Sequence, residues 1–178
     1  MTKTLTSLAL GALLLASLTA CAFGGGTVEP TAQPTVAPET TDDGPVSGGG
    51  FTNGDCEGKD VVIDTENTNA VLEGECGAVT VTADRVFLTL ENAESISVTG
   101  SRVDVVVEGS VGAVSMGGEQ NSYTGGDVAS LAVSGSTVNV TVNEAGSVSV
   151  SGSSNFVVWT SGAASATDSG SENTVLAP

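Results

Sequence analysis

The chain has 178 residues and a formal net charge of −17, from 4 Lys and Arg against 21 Asp and Glu, and it contains no histidine. These counts argue against histidine-based catalysis, metal ligation or pH sensing, and against electrostatic binding of nucleic acid, because four cations cannot neutralise a track of phosphates. The 24 glycines, with abundant Ser, Thr and Val, disfavour a helical bundle and favour a β-rich chain.

Residues 1–20 predict a lipoprotein signal peptide. Lys3 precedes an apolar stretch of about 14 residues, which is shorter than the roughly 20 that a spanning helix needs. Small residues mark a cleavage point, and Cys21 directly after them resembles the cysteine of a bacterial lipobox. That resemblance implies that Cys21 becomes the lipidated N-terminus; an ordinary signal peptide is the alternative. We therefore expect a lipid-anchored protein on the extracytoplasmic side of the cell membrane.

Residues 21–50 are predicted to form a disordered tether after the lipidated cysteine. Glycine triplets open and close this segment, and Thr, four prolines and four acidic residues lie between them. Such a composition buries too little apolar area to offset the entropy of ordering the chain. We expect the segment to hold the following domain away from the membrane.

Residues 51–178 are predicted to form a repeat domain with a period of 17 or 18 residues. Apolar and polar residues alternate within each repeat, which indicates two short strands rather than a helix. Glycine-rich corners separate the strands, where a positive φ costs glycine little. The apolar columns are Val61, Val79, Ile96, Val114, Leu131 and Val148; Ile63, Val81, Val98, Met116, Val133 and Val150; and Val71, Leu88, Val105, Tyr123, Val140, Val157 and Val175.

These columns predict an all-β fold, a parallel β-solenoid of about seven coils. A repeat of this length is too short to enclose its own core, whereas stacked repeats bury a continuous ladder of Val and Ile. The alternative is a sandwich of antiparallel strands, which would not keep a constant spacing. We also expect irregular ends, with one extra residue between Asp64 and Asn69 and no large apolar side chain in residues 162–169.

Two late repeats carry a family resemblance. Residues 152–159 and 170–175 contain a Gly-Ser-x-Asn-x-Val unit, and they resemble actinobacterial lipoproteins with the domain of unknown function 3060. The lipobox, the tether and the early cysteine pair fit that family. The resemblance spans roughly residues 54–177 and implies an architecture and a secreted context, without an activity. Val86, Val103 and Val138 replace the motif asparagine in other repeats, which argues against a shared functional role for it.

Cys56 and Cys76 are predicted to form a disulfide. A secreted context favours the bond, and their separation of 20 residues is close to one repeat, so stacked coils bring them together. The alternative is a catalytic or redox thiol, but no base stands near either cysteine in the sequence.

Four asparagines are predicted to occupy structural corners where strands begin. They are Asn69, Asn121, Asn155 and Asn173. Asparagine tolerates unusual φ, and its amide hydrogen-bonds orphan backbone groups. Ligand binding by these side chains is the alternative.

Acidic residues gather at the corners between repeats. Glu91, Glu94, Glu108, Asp127 and Glu144 are expected to form a solvated negative edge that keeps the solenoid soluble. Two other interpretations stay open: a weak Ca²⁺ site, although no known calcium-loop pattern is present, and a carboxylate pair of a glycosidase. We predict no catalytic residue, metal ligand or cofactor.

The outward positions of the first strand are small and carry many hydroxyl groups. They include Thr80 and Thr82, Ser97 and Thr99, Ser115 and Gly117, Ala132 and Ser134, and Ser149 and Ser151. We predict a non-enzymatic cell-envelope module that binds or displays, with cell-wall glycan or an envelope protein as possible partners. The alternative is a carbohydrate-active enzyme with acidic catalysts.

Overall fold

The computed structural model describes residues 46–47, 51–162 and 165–178, within a compact unit Thr41–Pro178. These residues contain β-strands and no helix. The strands are β1 (Val46–Ser47), β2 (Phe51–Asp55), β3 (Val61–Ile63), β4 (Asn69–Val81), β5 (Phe87–Val98), β6 (Asp104–Val107), β7 (Ser110–Met116), β8 (Ser122–Val133), β9 (Asn139–Val150), β10 (Phe156–Ser161), β11 (Ser165–Asp168) and β12 (Thr174–Leu176).

Every strand pair among the described residues is parallel, and each strand pairs with the one a single repeat further along the chain. Val61 is the register partner of Val79, and Leu131 is the partner of Val148. The predicted parallel β-solenoid is therefore confirmed, because an antiparallel sandwich cannot give this register. We number seven coils by their members of the first predicted apolar column, Val61, Val79, Ile96, Val114, Leu131 and Val148, and by Ala166, which is in register with Val148. Strands β1 and β2 stack on coil 1 from the side opposite coil 2.

The inward columns form one continuous core of Val, Ile, Leu and Ala. Four strands are longer than predicted, since β4, β5, β8 and β9 run from the second strand of one coil into the first strand of the next. The junction inside them carries a further inward column that alternation did not reveal. Its members are Cys76, Ala93, Val111, Val128 and Ala145, all buried.

The predicted alignment of coil 1 was wrong by one residue. Ala70, which is fully buried, pairs with Leu88, while Val71 is 37% exposed. Thr68 therefore fills the corner position predicted for Asn69, and Asn69 is an exposed first residue of β4. Coil 1 needs no extra residue; the pairing of Ile63 with Val81 keeps the 18-residue spacing.

Among the corner glycines Gly100, Gly118, Gly135 and Gly152, the positive φ predicted for the corners is found at Gly118 alone. Each coil instead has a positive φ at one exposed non-glycine residue, with φ between 56° and 59°. These residues are Asn67, Arg85, Arg102, Gln120, Thr137, Ser154 and Glu172. The corner glycines are needed for a different reason: a Cβ on Gly152 would collide with the carbonyl oxygen of Gly135 in the coil before it.

Candidate functional site

The outward side chains of the first strand in coils 2 to 7 form one surface, which we call the hydroxyl face. No position in it carries a charge or a side chain larger than threonine. Parallel register stacks these positions about 4.8 Å apart from coil to coil. The three columns are Ala78, Ser95, Ala113, Ser130, Ser147 and Ser165; Thr80, Ser97, Ser115, Ala132, Ser149 and Thr167; and Thr82, Thr99, Gly117, Ser134, Ser151 and Ser169.

The five predicted corner acids are all exposed, and they do not form one cluster. Glu91 and Glu108 line a small hollow with Glu73, and the Glu91 carboxylate accepts a hydrogen bond of 2.9 Å from the backbone N–H of Gly74. Asp127 and Glu144 lie apart from that hollow.

Asp127 and Glu144 are register partners on β8 and β9, and both line an open groove of about 520 Å³. Gly112, Ala129 and Gly146 also line the groove. Because two of these residues are glycines and the third is an alanine, the space beside Asp127 and Glu144 stays open. The structure thus places two of the five predicted corner acids next to each other in a concave surface.

The described residues contain no group of three or more His, Cys, Asp or Glu side chains arranged to hold a metal ion.

Three of the four predicted corner asparagines hold neighbouring coils together. The buried Asn121 amide accepts a 2.8 Å hydrogen bond from the N–H of Val103 and donates one of 2.8 Å to the carbonyl of Gly100. Asn155 repeats the arrangement with Val138 at 2.8 Å and Gly135 at 3.0 Å. These two buried side-chain amides have their hydrogen-bond partners inside the protein, so they are not available to a ligand. Their arrangement is that of structural residues.

Asn173 closes the series in coil 7. Its amide oxygen accepts a hydrogen bond of 3.0 Å from the N–H of Asn155, and its amide nitrogen donates to the carbonyl of Gly152 and to the carboxylate of Asp168. Asn69 takes no part in this series because it lies outside the corner column.

The predicted disulfide between Cys56 and Cys76 is present, with the two Cα atoms 4.8 Å apart. Both residues are buried, at 1% and 4% exposure. With both sulfur atoms bonded to each other, neither cysteine is a free nucleophile or redox thiol in this state. The bond ties the segment ahead of coil 1 to the end of that coil.

Two buried polar atoms were not anticipated from the sequence. The Tyr123 hydroxyl and the Trp159 indole N–H have no hydrogen-bond partner among the residues that the structure describes. Burial raises the pKa of the Tyr123 hydroxyl above its ordinary value of 10. The tyrosine ring extends over Gly125, where a Cβ would lie 2.8 Å from the hydroxyl oxygen. Tyr123 thus fills space that the missing side chain leaves in the core. The only sign of this in the sequence is that Gly125 interrupts an otherwise apolar column, whose buried members are Leu90, Val107, Val142 and Trp159.

Cys21 and the predicted signal peptide lie outside the described residues, as does nearly all of the predicted tether. Within residues 46–47, 51–162 and 165–178, no helix is long and apolar enough to cross a membrane.

Residues 117–172 match the model of a family described as "Protein of unknown function (DUF3060)". The match runs from the end of β7 to the middle of coil 7, and it confirms the predicted resemblance to domain of unknown function 3060 over that segment. No curated protein and no solved structure matches the chain.

Proposed function

We propose that this chain, whose residues 117–172 match a family of unknown function, is a lipid-anchored, non-enzymatic protein of the cell envelope that binds glycan through its hydroxyl face. The observation that carries the proposal is the contrast between this face and the rest of the domain. The domain has 17 acidic and three basic residues, yet the hydroxyl face has none of either. A charge-free surface of hydroxyl groups does not repel an anionic or neutral polysaccharide.

The chemistry of the face suits a polyhydroxylated ligand. Each Ser or Thr hydroxyl donates one hydrogen bond and accepts two, so it pairs with sugar hydroxyls in either direction. The absence of large side chains lets an extended chain lie close to the strand backbone. Rows of hydroxyls about 4.8 Å apart give repeated contacts along a repetitive polymer.

A pull-down of the purified full chain on insoluble cell-wall glycan tests the proposal. Ala132→Glu places a charge in the middle of the hydroxyl face, and Thr124→Glu is its matched control, because Thr124 is also exposed and also lies in β8, but outside both the hydroxyl face and the groove of Asp127 and Glu144. We expect retention of the wild type and of Thr124→Glu, and at least a tenfold loss for Ala132→Glu. Equal retention of both variants, or no retention of the wild type, would contradict glycan binding by this face.

The membrane anchor is tested separately from the binding face. Cys21→Ala removes the predicted lipid attachment point, so the variant should move from the membrane fraction to the aqueous fraction, with the mass of the acyl chains lost from the mature protein. A variant that stays with the membrane would show that Cys21 is not the anchor.

The pair of Asp127 and Glu144 supports a second candidate function, hydrolysis of glycosidic bonds. Register partners on neighbouring strands have backbones about 4.8 Å apart, and retaining glycosidases hold their two carboxyl groups about 5–5.5 Å apart. Hydrolysis would release reducing ends from the glycan, and Asp127→Asn or Glu144→Gln would abolish that release without weakening retention. If the wild type releases no reducing ends, hydrolysis is excluded and glycan binding is the remaining proposed function.

A further inference from the structure

The large apolar side chains that the described residues leave exposed all lie on one other surface. They are Val71, Phe87, Phe156 and Leu176, with exposures between 37% and 46%. We call this surface the phenylalanine face. Within coils 1 to 7 it consists of the outward positions of the second strand in two columns: Asn69, Phe87, Asp104, Ser122, Asn139, Phe156 and Thr174; and Val71, Thr89, Val106, Thr124, Thr141, Val158 and Leu176. Phe51 and Asn53 of β2 continue these columns by one row ahead of coil 1. Val71 and Phe87 lie in neighbouring coils near one end of this face, and Phe156 and Leu176 lie in neighbouring coils near the other, so the face carries two apolar patches. Exposed apolar patches mark interaction surfaces.

The four exposed apolar side chains are placed symmetrically along the solenoid. Phe87 and Phe156 share one column, two coils before and two coils after Ser122 in coil 4. Val71 and Leu176 share the next column, three coils before and three coils after the same midpoint. A two-fold axis that passes through coil 4 parallel to the strands exchanges the members of each pair.

We propose that the phenylalanine face binds a second copy of this chain in an antiparallel, two-fold symmetric dimer. Phe87 of one copy then packs against Phe156 of the other, and Val71 packs against Leu176. A two-fold interface requires a patch that is complementary to itself, and this arrangement meets the requirement with side chains already exposed in one copy. The proposal goes beyond the proposed function, because it uses a different face and a different partner.

The charges on and beside the face favour the antiparallel arrangement. Asp104 lies in coil 3 and is opposite the uncharged Asn139 of coil 5 in the second copy. The flanking acids Glu91 and Glu108 belong to coils 2 and 3, and the positions opposite them are Thr160 and Asn143. Asp104, Glu91 and Glu108 therefore meet no like charge across the face, even though both copies are acidic. Like charges in direct opposition are a common barrier to self-association.

The size of the face sets the expected strength of the dimer. Seven coils extend over about 29 Å, and the strand with its flanking corner residues covers about 20 Å, which gives about 600 Å² in each copy. The two copies together bury about 1,200 Å², at the lower end of the range for specific interfaces. We therefore expect a reversible dimer with a dissociation constant in the micromolar range.

Sedimentation equilibrium of the full chain with Cys21→Ser, which removes the lipid, tests the dimer. We expect a monomer–dimer equilibrium that Phe87→Ser and Phe156→Ser each weaken at least tenfold. Thr141→Glu should have the same effect, because it puts a charge on the face, whereas Ser149→Glu is its control on the hydroxyl face of the same strand, β9. A wild-type chain that stays monomeric at about 100 μM, or equal effects of the two glutamate variants, would overturn the proposal.

Cross-linking tests the antiparallel geometry. Asp104→Cys and Asn139→Cys, each in the Cys21→Ser chain, are mixed and mildly oxidised. The proposed dimer predicts a covalent dimer in the mixture and none from either variant alone, since residue 104 is opposite residue 139 of the other copy. Cross-linking of a variant with itself, or none in the mixture, would exclude this arrangement. Both outcomes are independent of glycan retention, so the dimer and the binding module succeed or fail separately.

Discussion

The first and last coils of the solenoid hold the same kind of apolar stack together by different means. At the beginning, the Cys56–Cys76 disulfide ties the segment ahead of coil 1 to the end of that coil, and valine fills the corners of coils 2 and 3. At the end, Asn155 and Asn173 fill the corners of coils 6 and 7 and hydrogen-bond to the coils before them. A covalent bond stabilises one end, and a network of amide hydrogen bonds stabilises the other.

The last coil also exposes less apolar core than a copy of the internal coils would. Asp168 lies in register with Val150, in a column that is otherwise apolar. Its carboxylate accepts hydrogen bonds of 2.9 Å from the N–H of Gly170 and from the amide of Asn173. A charged residue at an inward position discourages further strands from adding to an exposed edge. The difference between the two ends shows that a solenoid needs both cohesion between coils and protection of its terminal strands.

Removal of the disulfide should have the largest effect on stability. Cys76→Ser should lower the free energy of unfolding by about 3 kcal/mol, because the bond no longer restricts the unfolded chain, and lower the melting temperature by several degrees. Thermal unfolding followed by circular dichroism measures the change. An unchanged melting curve would mean that the first coils are held by packing alone.

Asn155→Ala tests the hydrogen-bonded end and should cost about 2 kcal/mol. The substitution leaves the N–H of Val138 and the carbonyl of Gly135 without their side-chain partner in a buried corner. Asn69→Ala is the matched control, since Asn69 is exposed and outside the corner column, and it should change stability by less than about 0.5 kcal/mol. Chemical denaturation measures both, and equal effects would refute the assignment of Thr68 to the corner.

Tyr123→Phe should stabilise the protein by about 1 kcal/mol at neutral pH, because the hydroxyl that it removes is buried and has no hydrogen-bond partner in the described part of the chain. Chemical denaturation again gives the value. A loss of stability of similar size would show that the hydroxyl has a partner in solution.

The same substitution has a defined effect at alkaline pH. Burial raises the pKa of Tyr123 in the folded state, so the folded protein keeps the proton after the unfolded chain has lost it near pH 10. The contribution to stability is therefore complete below about pH 10 and falls by up to about 1.4 kcal/mol per pH unit above it. Tyr123→Phe should remove this part of the alkaline loss. Because Tyr123 is the only tyrosine, its ultraviolet absorbance reports the ionisation directly.

The sequence was sufficient to predict the coils wherever the residue types repeat from one coil to the next. Val, Ile and Leu alternate along the strands, so the period and the parallel register followed from their spacing. Coil 1 was misaligned because Val71 fits the apolar column as well by type as the buried Ala70 does. The inward column that contains Cys76 and Ala93 was missed because it lies at a corner, where alternation is interrupted.

The candidate sites were less predictable than the fold. The groove between Asp127 and Glu144 depends on small neighbours, Gly112 and Gly146, that become neighbours only when coils stack. The symmetry of the phenylalanine face likewise depends on register across seven coils, and single residues separated by 69 positions, such as Phe87 and Phe156, give no local signal.

The corner residues with positive φ have no signature in the sequence. A substitution at one of them gives the smallest stability change that we predict. Their side chains are exposed, so the core does not select their type, and the seven positions hold six different residue types. Thr137 is the β-branched member, with φ of 59°, a conformation that a β-branched residue adopts only at a cost. Thr137→Asn should therefore stabilise the protein by about 0.5–1 kcal/mol, as measured by denaturation.

Thr141→Asn is the control for that prediction, because Thr141 is also exposed but lies in the extended strand β9. There asparagine is the poorer residue, since strands favour threonine, so stability should fall slightly or stay the same. A gain at residue 137 with no gain at residue 141 would show that backbone conformation, rather than amide hydrogen bonding, limits the stability of the later corners. Equal changes at the two positions would show that φ at the corner contributes little, and the hydrogen bonds of Asn121 and Asn155 would then account for corner stability.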